Sequence, residues 1–391
     1  MNFLNVNREH DLITRRQTYV LDRKLVTIHS NDRDIKKWPR ANNFEIELPE
    51  TLQNVQSLRL VMTSFPMKLY TFSHEYQNTK MSFQLIPQPR QSSNASSYLT
   101  LNQNRNHVYT IEIQEGNFTA DQICREIERK MNREVYDFLI STGLTPEEAD
   151  YNYFTLTYDS VSQKILFGNR IDNFSLNFHK PENYTMMDID ESCGQKIDNC
   201  VRQPNVWQHY TQWGLPYYLG FQKQKYVACP ITSPFTLDYR EDPLWLFASE
   251  DSVAATAYYV EAPNVQCLVG ESVMYMILDK FNSMDEIVPY SEATSNMYNN
   301  DYNGTVNAAF EKIPLNIMGA REVFDSQNTN LENMSYYDVP IENIRKVKVQ
   351  FRFHDGRLVD FQNCDFNFTL GFNCLRDEIP REYELRVPVK N

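Results

Sequence analysis

The sequence predicts a mainly β chain of two jelly-roll-like, β-sandwich domains, with one principal helix inserted in the first. Three observations carry this. Strand-length alternations recur, clearest where Val347, Val349, Phe351 and Phe353 alternate with Lys346, Lys348, Gln350 and Arg352. Aromatic residues are plentiful, with 24 Tyr and 23 Phe against 11 Gly, and tyrosine's apolar ring and polar tip suit half-buried sheets and wet interfaces. One stretch alone has a long helical period, from Ile123 to Met131. At 391 residues, 41% hydrophobic and 23% charged, the chain is globular and long enough for two cores.

Residues 1–24 show no periodicity and read as an N-terminal arm. The first domain spans 25–225, with strands at 25–30, 43–48, 55–65, 81–86, 108–114, 153–158, 164–167 and 174–178, each bounded by Asn, Pro or Ser clusters. Its helix covers 119–140, because Thr119 and Gln122 have the spacing of a capping box and each satisfies a free amide of the first turn. Ala120, Ile123, Cys124, Ile127 and Met131 share one face of that helix, whereas Arg125, Glu128 and Arg129 fall outside it. Thr145-Pro146-Glu147-Glu148 starts a second, short helix, with proline at the first helical position. Residues 87–107 and 179–212 read as long polar loops of the kind that order against a partner.

The second domain spans 226–391, with strands near 226–229, 255–260, 272–279, 344–353, 358–361, 365–372 and 383–388. A two-residue turn at Asp355-Gly356 sets Phe351 opposite Asp360. A three-residue loop, His354-Asp355-Gly356, instead pairs Phe351 with Val359 and keeps one apolar face, with Gly356 in the left-handed position. Residues 290–307 are polar and read as a mobile or partner-bound segment.

Taken in order, the runs at 26–30, 31–34, Trp38-Pro39, 43–49, 54–61, 109–113, 116–119, 123–131, 154–159, 164–167, 174–178 and 219–221 resemble the minor capsid proteins of large icosahedral nucleocytoplasmic DNA viruses, such as those infecting algae. The resemblance returns at 309–315 and 351–361; each piece is short, and their order along the chain gives the specificity. It implies a structural role in the virion shell, assembled in host cytoplasm, cementing or scaffolding capsomers from the inner side. The implied partners are major-capsid-protein capsomers and other minor capsid proteins, with the inner viral membrane surface as a further neighbour. No catalytic residue and no cofactor carries over.

Charge agrees with a binding role other than nucleic-acid coating. The net charge is −13, which lacks the basic footprint needed to displace counterions. Residues 1–40 nevertheless hold nine basic and five acidic groups, a balance of +4 that leaves −17 elsewhere. Arg15, Arg16, Arg23, Lys24, Lys36 and Lys37 are the candidate docking residues of this arm, suited to an acidic partner, an anionic membrane surface or packaged DNA. A solvated entry segment is the plainer reading of the same charges. The opening residues have no apolar core of signal-peptide length, and the longest later apolar run, 273–278, is far below a membrane span of ~20 residues. Seven cysteines without a C-x-x-C pair indicate reduced thiols rather than a disulfide framework or a zinc ribbon.

Enzymatic signatures are missing from the sequence: no phosphate-cradling glycine spacing, no G-x-S-x-G, no H-E-x-x-H, and no histidine pair at i, i+4. Asp188, Asp190 and Glu191 lack the spacing of a calcium loop and read as an acidic turn. Asp32-Arg33-Asp34 reads as a turn with a self-paired arginine rather than a catalytic pair. The alternative function is a carbohydrate- or receptor-binding β-sandwich in which Trp207, Trp213, Trp245 and surface tyrosines stack on sugars.

Overall fold

The computed structural model describes residues 19–65, 69–89, 95–179, 214–232, 245–247, 256–287, 306–315, 323–325, 334–354 and 357–377. Expectations for 1–18, 180–212, 290–305, the tip Asp355-Gly356 and the strand 383–388 lie outside these residues. The fold is mainly β. In chain order it begins with β1 (Tyr19–His29) and β2 (Asn43–Ser64). There follow β3 (Lys80–Ile86), α1 (Ala95–Gln103), β4 (Tyr109–Glu112), α2 (Ala120–Ser141), β5 (Phe154–Asp159), β6 (Lys164–Asn169) and β7 (Asn173–Asn177). Next come α3 (Leu215–Tyr218), β8 (Lys225–Val227), β9 (Cys229–Ile231) and β10 (Ala257–Glu261). The chain ends with β11 (Val273–Leu278), β12 (Met284–Ile287), β13 (Val306–Ala309), β14 (Glu311–Pro314), β15 (Val323–Asp325), β16 (Ser335–Arg352) and β17 (Asn367–Asp377).

Two compact units result, but they are not consecutive. Unit 1 takes the described residues up to Leu69 and those from Ser272 onward, and unit 2 is formed by the residues between Tyr70 and Glu271. The expected boundary at 225 therefore falls inside unit 2, and the principal helix belongs to that insert. Strand pairing is the reason. β8 adds to β7 and β10 adds to β6, so residues beyond 225 complete sheets begun before it. Likewise β1 and β2 pair with β17 and β16, joining the first sixty residues to the last. Linear segmentation cannot register such an insertion.

Unit 1 is an antiparallel seven-stranded sheet in the order β1-β17-β2-β16-β11-β14, with β15 also pairing β2, plus the ribbon β12-β13. The strands expected at 43–48 and 55–65 are one strand, because the ladder with β16 shifts register between Ile344 and Lys346, opposite the segment containing Pro49. A bulge tolerates a residue without an N–H, so proline bends the strand instead of ending it. Phe65, Phe351, Phe361 and Phe366 form a ring cluster in this core, with centroids 4.4–5.6 Å apart. Arg352 bridges Leu358, and the Val359 N–H donates to the Phe351 carbonyl at 3.1 Å, which is the register of the three-residue loop. Residues 358–361 make only that bridge and form no strand.

Unit 2 has two four-stranded sheets, β5-β6-β10-β9 and β4-β3-β7-β8, sharing one core with α2. The capping box is present: the Thr119 N–H donates to Gln122 Oε1 at 3.0 Å, and the Gln122 N–H to Thr119 Oγ1 at 3.3 Å. Ile123, Cys124, Ile127, Met131, Val135 and Leu139 are buried along one helical face. Glu128 is not simply a solvent residue, since its carboxylate accepts the Leu156 N–H at 2.8 Å. Asn132 bonds both the N–H and the carbonyl of Phe154, each at 2.9 Å. Polar side chains of α2 thus occupy backbone groups of β5, which ends its sheet. The loop expected at 87–107 contains α1, anchored by buried Ser97 and Leu101 one helical turn apart. Residues 145–149 make a single turn rather than a helix, with Glu148 accepting the Thr145 N–H at 3.2 Å.

Candidate interface surface

β1 pairs with β17 along its whole length, from Tyr19 opposite Asp377 to His29 opposite Asn367. Among the described residues its other side has no neighbouring strand. The Ser30 N–H donates to the Phe366 carbonyl at 2.8 Å, one step beyond β1 in the same register. By strict alternation, even-numbered residues of β1 turn their backbone groups to β17. Leu21, Arg23, Leu25, Thr27 and His29 turn theirs to the open edge. An edge of eleven residues is a long row of unpaired donors and acceptors, the kind of template to which another chain adds.

The same odd-numbered residues put their side chains on the outer face. Leu21 is 53% and Leu25 58% exposed, while Ile28 is buried. Gly371, opposite Leu25, lets the leucine lie flat across the sheet: a Cβ there would sit 2.9 Å from Val61 Cγ2 and 3.4 Å from Leu25 Cδ2. Thr27 and Thr369 share a hydrogen bond of 2.9 Å, and Asn373 donates to Ser57 at 2.7 Å. Met62 is exposed, and Tyr336, opposite Ser57, is 72% exposed. Arg23 and Arg59 also belong to this face, and from Leu21 to His29 no outward position of β1, or of β17 opposite it, holds a carboxylate. The result is a face on which exposed apolar side chains flank Arg23 and the half-buried Arg59, in an acidic protein.

The structure divides the six candidate docking residues. Arg15 and Arg16 lie outside the described residues. Arg23 projects from β1, so Tyr19 to Lys24 are sheet rather than arm. Lys24 sits 2.5 Å from Glu50. Asp34 accepts the backbone N–H groups of Lys36 and Lys37 at 3.0 and 3.3 Å, and the Lys37 ammonium lies 3.9 Å from Glu45 and 5.3 Å from the Trp38 ring centre. Arg33 is not paired with its flanking aspartates; it donates to the carbonyls of Ser30, Trp38 and Pro39 and closes the turn.

A buried ionic cluster in unit 1 went unread in the sequence. Glu286 on β12 pairs with Arg352 at the end of β16, the two side chains being 8% and 4% exposed. His354 Nδ1 lies 2.9 Å from the other oxygen of Glu286. The Arg352 guanidinium stands 5.2 Å from the Tyr275 ring centre, and its Nε and Nη2 have no hydrogen-bond acceptor. Burial, then the Glu286 charge and its hydrogen bond, push the Tyr275 hydroxyl up to about 12, with Arg352 pulling the other way. The ion pair and the histidine contact fasten β12 to the end of β16.

Unit 2 holds other polar features among the described residues. A cleft of about 400 Å³ at the start of α2 is lined by Gln114, Glu115, Asn117, Arg125, Glu126 and Arg129, and Arg129 pairs with Glu126 at 2.7 Å. No group of three or more metal-ligating side chains occurs among the described residues. Trp245 is buried with Leu166, Leu246, Phe247 and Ala257, seated directly on Gly168, so it is not available to stack on a sugar. Trp207 and Trp213 lie outside the described residues. No described helix is long and apolar enough to cross a membrane.

No protein-family model matches the chain, and no curated protein matches its sequence. Several solved structures are similar to it, two viral chains among them. The penton protein of mavirus is 9% identical, with 91% of this chain and 99% of that chain covered and a TM-score of 0.37. A chain of the Sputnik virophage is 10% identical, with 90% of this chain and 98% of that chain covered and a TM-score of 0.36.

Proposed function

We propose that this chain is a structural component of a viral shell, a minor capsid protein of the large nucleocytoplasmic DNA virus type that binds capsomers from the inner side. The observation that carries the reading is the outer face of β1, β17, β2 and β16, where Leu21, Leu25, Met62 and Tyr336 stand exposed around Arg23 and Arg59. A buried leucine contributes ~1.5–3 kcal/mol relative to an exposed one, so seating Leu21 and Leu25 against a partner supplies several kcal/mol. The arginines select an acidic rim and exclude a basic one. The ordered series of segments resembling minor capsid proteins supports the same reading, and major capsid protein or other minor capsid proteins are the partners it names. The sugar-binding alternative loses Trp245, which is packed in a core.

The test is incorporation. Leu21→Asp together with Leu25→Asp replaces two exposed side chains on one face, so the isolated chain should keep its melting temperature within about 2 °C, as surface changes usually cost under ~0.5 kcal/mol. Its amount in purified particles, by quantitative mass spectrometry, should fall at least tenfold. Normal incorporation overturns the reading.

A further inference from the structure

We propose that the open edge of β1 is completed by residues 383–389 of a second copy of this chain, added as an antiparallel strand. The inference deepens the shell reading and rests on it. Edge, segment and direction each contribute.

The edge is long and uniformly presented. Leu21, Arg23, Leu25, Thr27 and His29 turn their backbone groups outward over a continuous register with no bulge against β17. The sheet's opposite edge, β14, has only four residues and ends in Pro314, too short to template a seven-residue strand.

The segment has the matching grammar. Tyr383, Leu385, Val387 and Val389 alternate with Glu384, Arg386, Pro388 and Lys390. Within a sheet, proline is confined to edge strands with its nitrogen turned to solvent. If the four apolar residues turn their backbone groups to β1, Pro388 falls in the other parity and faces outward, where its missing N–H costs nothing. The apolar side chains then share one face and extend the row begun by Leu21 and Leu25. The resulting edge carries a proline and charged side chains, which blunts further addition.

Direction selects a second copy over the chain's own tail. Asp377, the last residue of β17, pairs with Tyr19, the first of β1. A tail turning back from there along the outer side of β1 would run parallel to it. Every described pairing in this sheet is antiparallel, and parallel pairing is slightly weaker per residue. The tail of another molecule approaches in either direction and meets β1 antiparallel.

Hydrogen exchange combined with light scattering after size-exclusion chromatography tests this, on the full chain and on a chain ending at residue 382. The full chain should self-associate with concentration, and the amides of Leu21, Arg23, Leu25, Thr27 and His29 should exchange at least tenfold more slowly in the associated form. The shortened chain should stay monomeric, exchange those amides fast and melt at the temperature of the full chain diluted to where it too is monomeric. Equal exchange of these amides in both proteins overturns the proposal. So does slow exchange in a full-length monomer, which assigns the chain's own tail, or protection lost only on removing residues 1–18, which assigns the leading segment. If β1 ignores the tail while Leu21→Asp with Leu25→Asp still abolishes incorporation, this inference fails and the shell reading stands.

Discussion

Replacing Glu286 by alanine tests whether the ionic cluster fastens β12 to β16. The carboxylate is the counter-charge of a guanidinium whose side chain is 4% exposed, and two of whose nitrogens already lack an acceptor. Removing it leaves a buried positive charge uncompensated, a change that typically costs ~3–5 kcal/mol. In a domain of 150–250 residues each kcal/mol moves the melting temperature by ~2–4 °C, so the transition of unit 1 should fall by roughly 6–20 °C. The charge-free pair Glu286→Leu with Arg352→Met removes the desolvation penalty together with the attraction, and should recover most of that loss. Differential scanning calorimetry on the three proteins supplies the comparison. The reasoning fails if the single change costs under ~1 kcal/mol, or if the double variant is no more stable than the single one.

Three further outcomes follow from other parts of the fold. Gly220 has φ +90°, and a Cβ there would lie 2.2 Å from the Asn264 carbonyl oxygen, so Gly220→Ala should destabilise unit 2 by more than the ~1–3 kcal/mol of backbone strain alone, read by urea unfolding. Asn132→Ala strands the buried N–H and carbonyl of Phe154; at ~1–3 kcal/mol for each unsatisfied group it should cost ~2–6 kcal/mol, and a loss below ~1 kcal/mol would show that α2 does not hold β5 by these bonds. His107 stacks on Phe138 at 4.2 Å, and burial lowers its pKa below the ordinary 6.5. The unfolded chain therefore takes up the proton first, so the contribution of neutral His107 is complete above pH 6.5 and declines as pH falls through that value. Melting curves between pH 7.5 and 5 should show a steeper loss for the natural chain than for His107→Phe, and parallel curves would remove His107 as the cause.

Where structure was local, the sequence was enough. The Thr119–Gln122 box, the apolar stripe of α2 and the hairpin register at Phe351 and Val359 each depend on residues a few positions apart, and each is present. What depended on distant pairing was hidden. Nothing near Val26 announces that it lies opposite Leu370, or that unit 2 interrupts a sheet begun by β2 and resumed by β11. Pro49 looked like a strand end because the bulge that accommodates it is set by β16, nearly three hundred residues later. The candidate surface was legible only in part. Arg23 and Lys24 drew attention as charges, while the leucines beside them and Gly371 beneath Leu25 define the face. Glu286 and Arg352 gave no signal, since Arg352 reads as an ordinary surface charge on an alternating strand and Glu286 lies outside every predicted strand. Only burial distinguishes them.

A photo-crosslinking residue placed at position 25 tests the shell role most directly, because Leu25 lies at the centre of the exposed face and its replacement leaves the core untouched. Purified particles carrying this chain would be irradiated and the adducts identified by mass spectrometry. A covalent product joining position 25 to a different capsid protein, present in particles and distinct from any product between two copies of this chain, is the expected result. Particles that lack the chain, or that contain it with position 25 joined to no other shell protein, would contradict it.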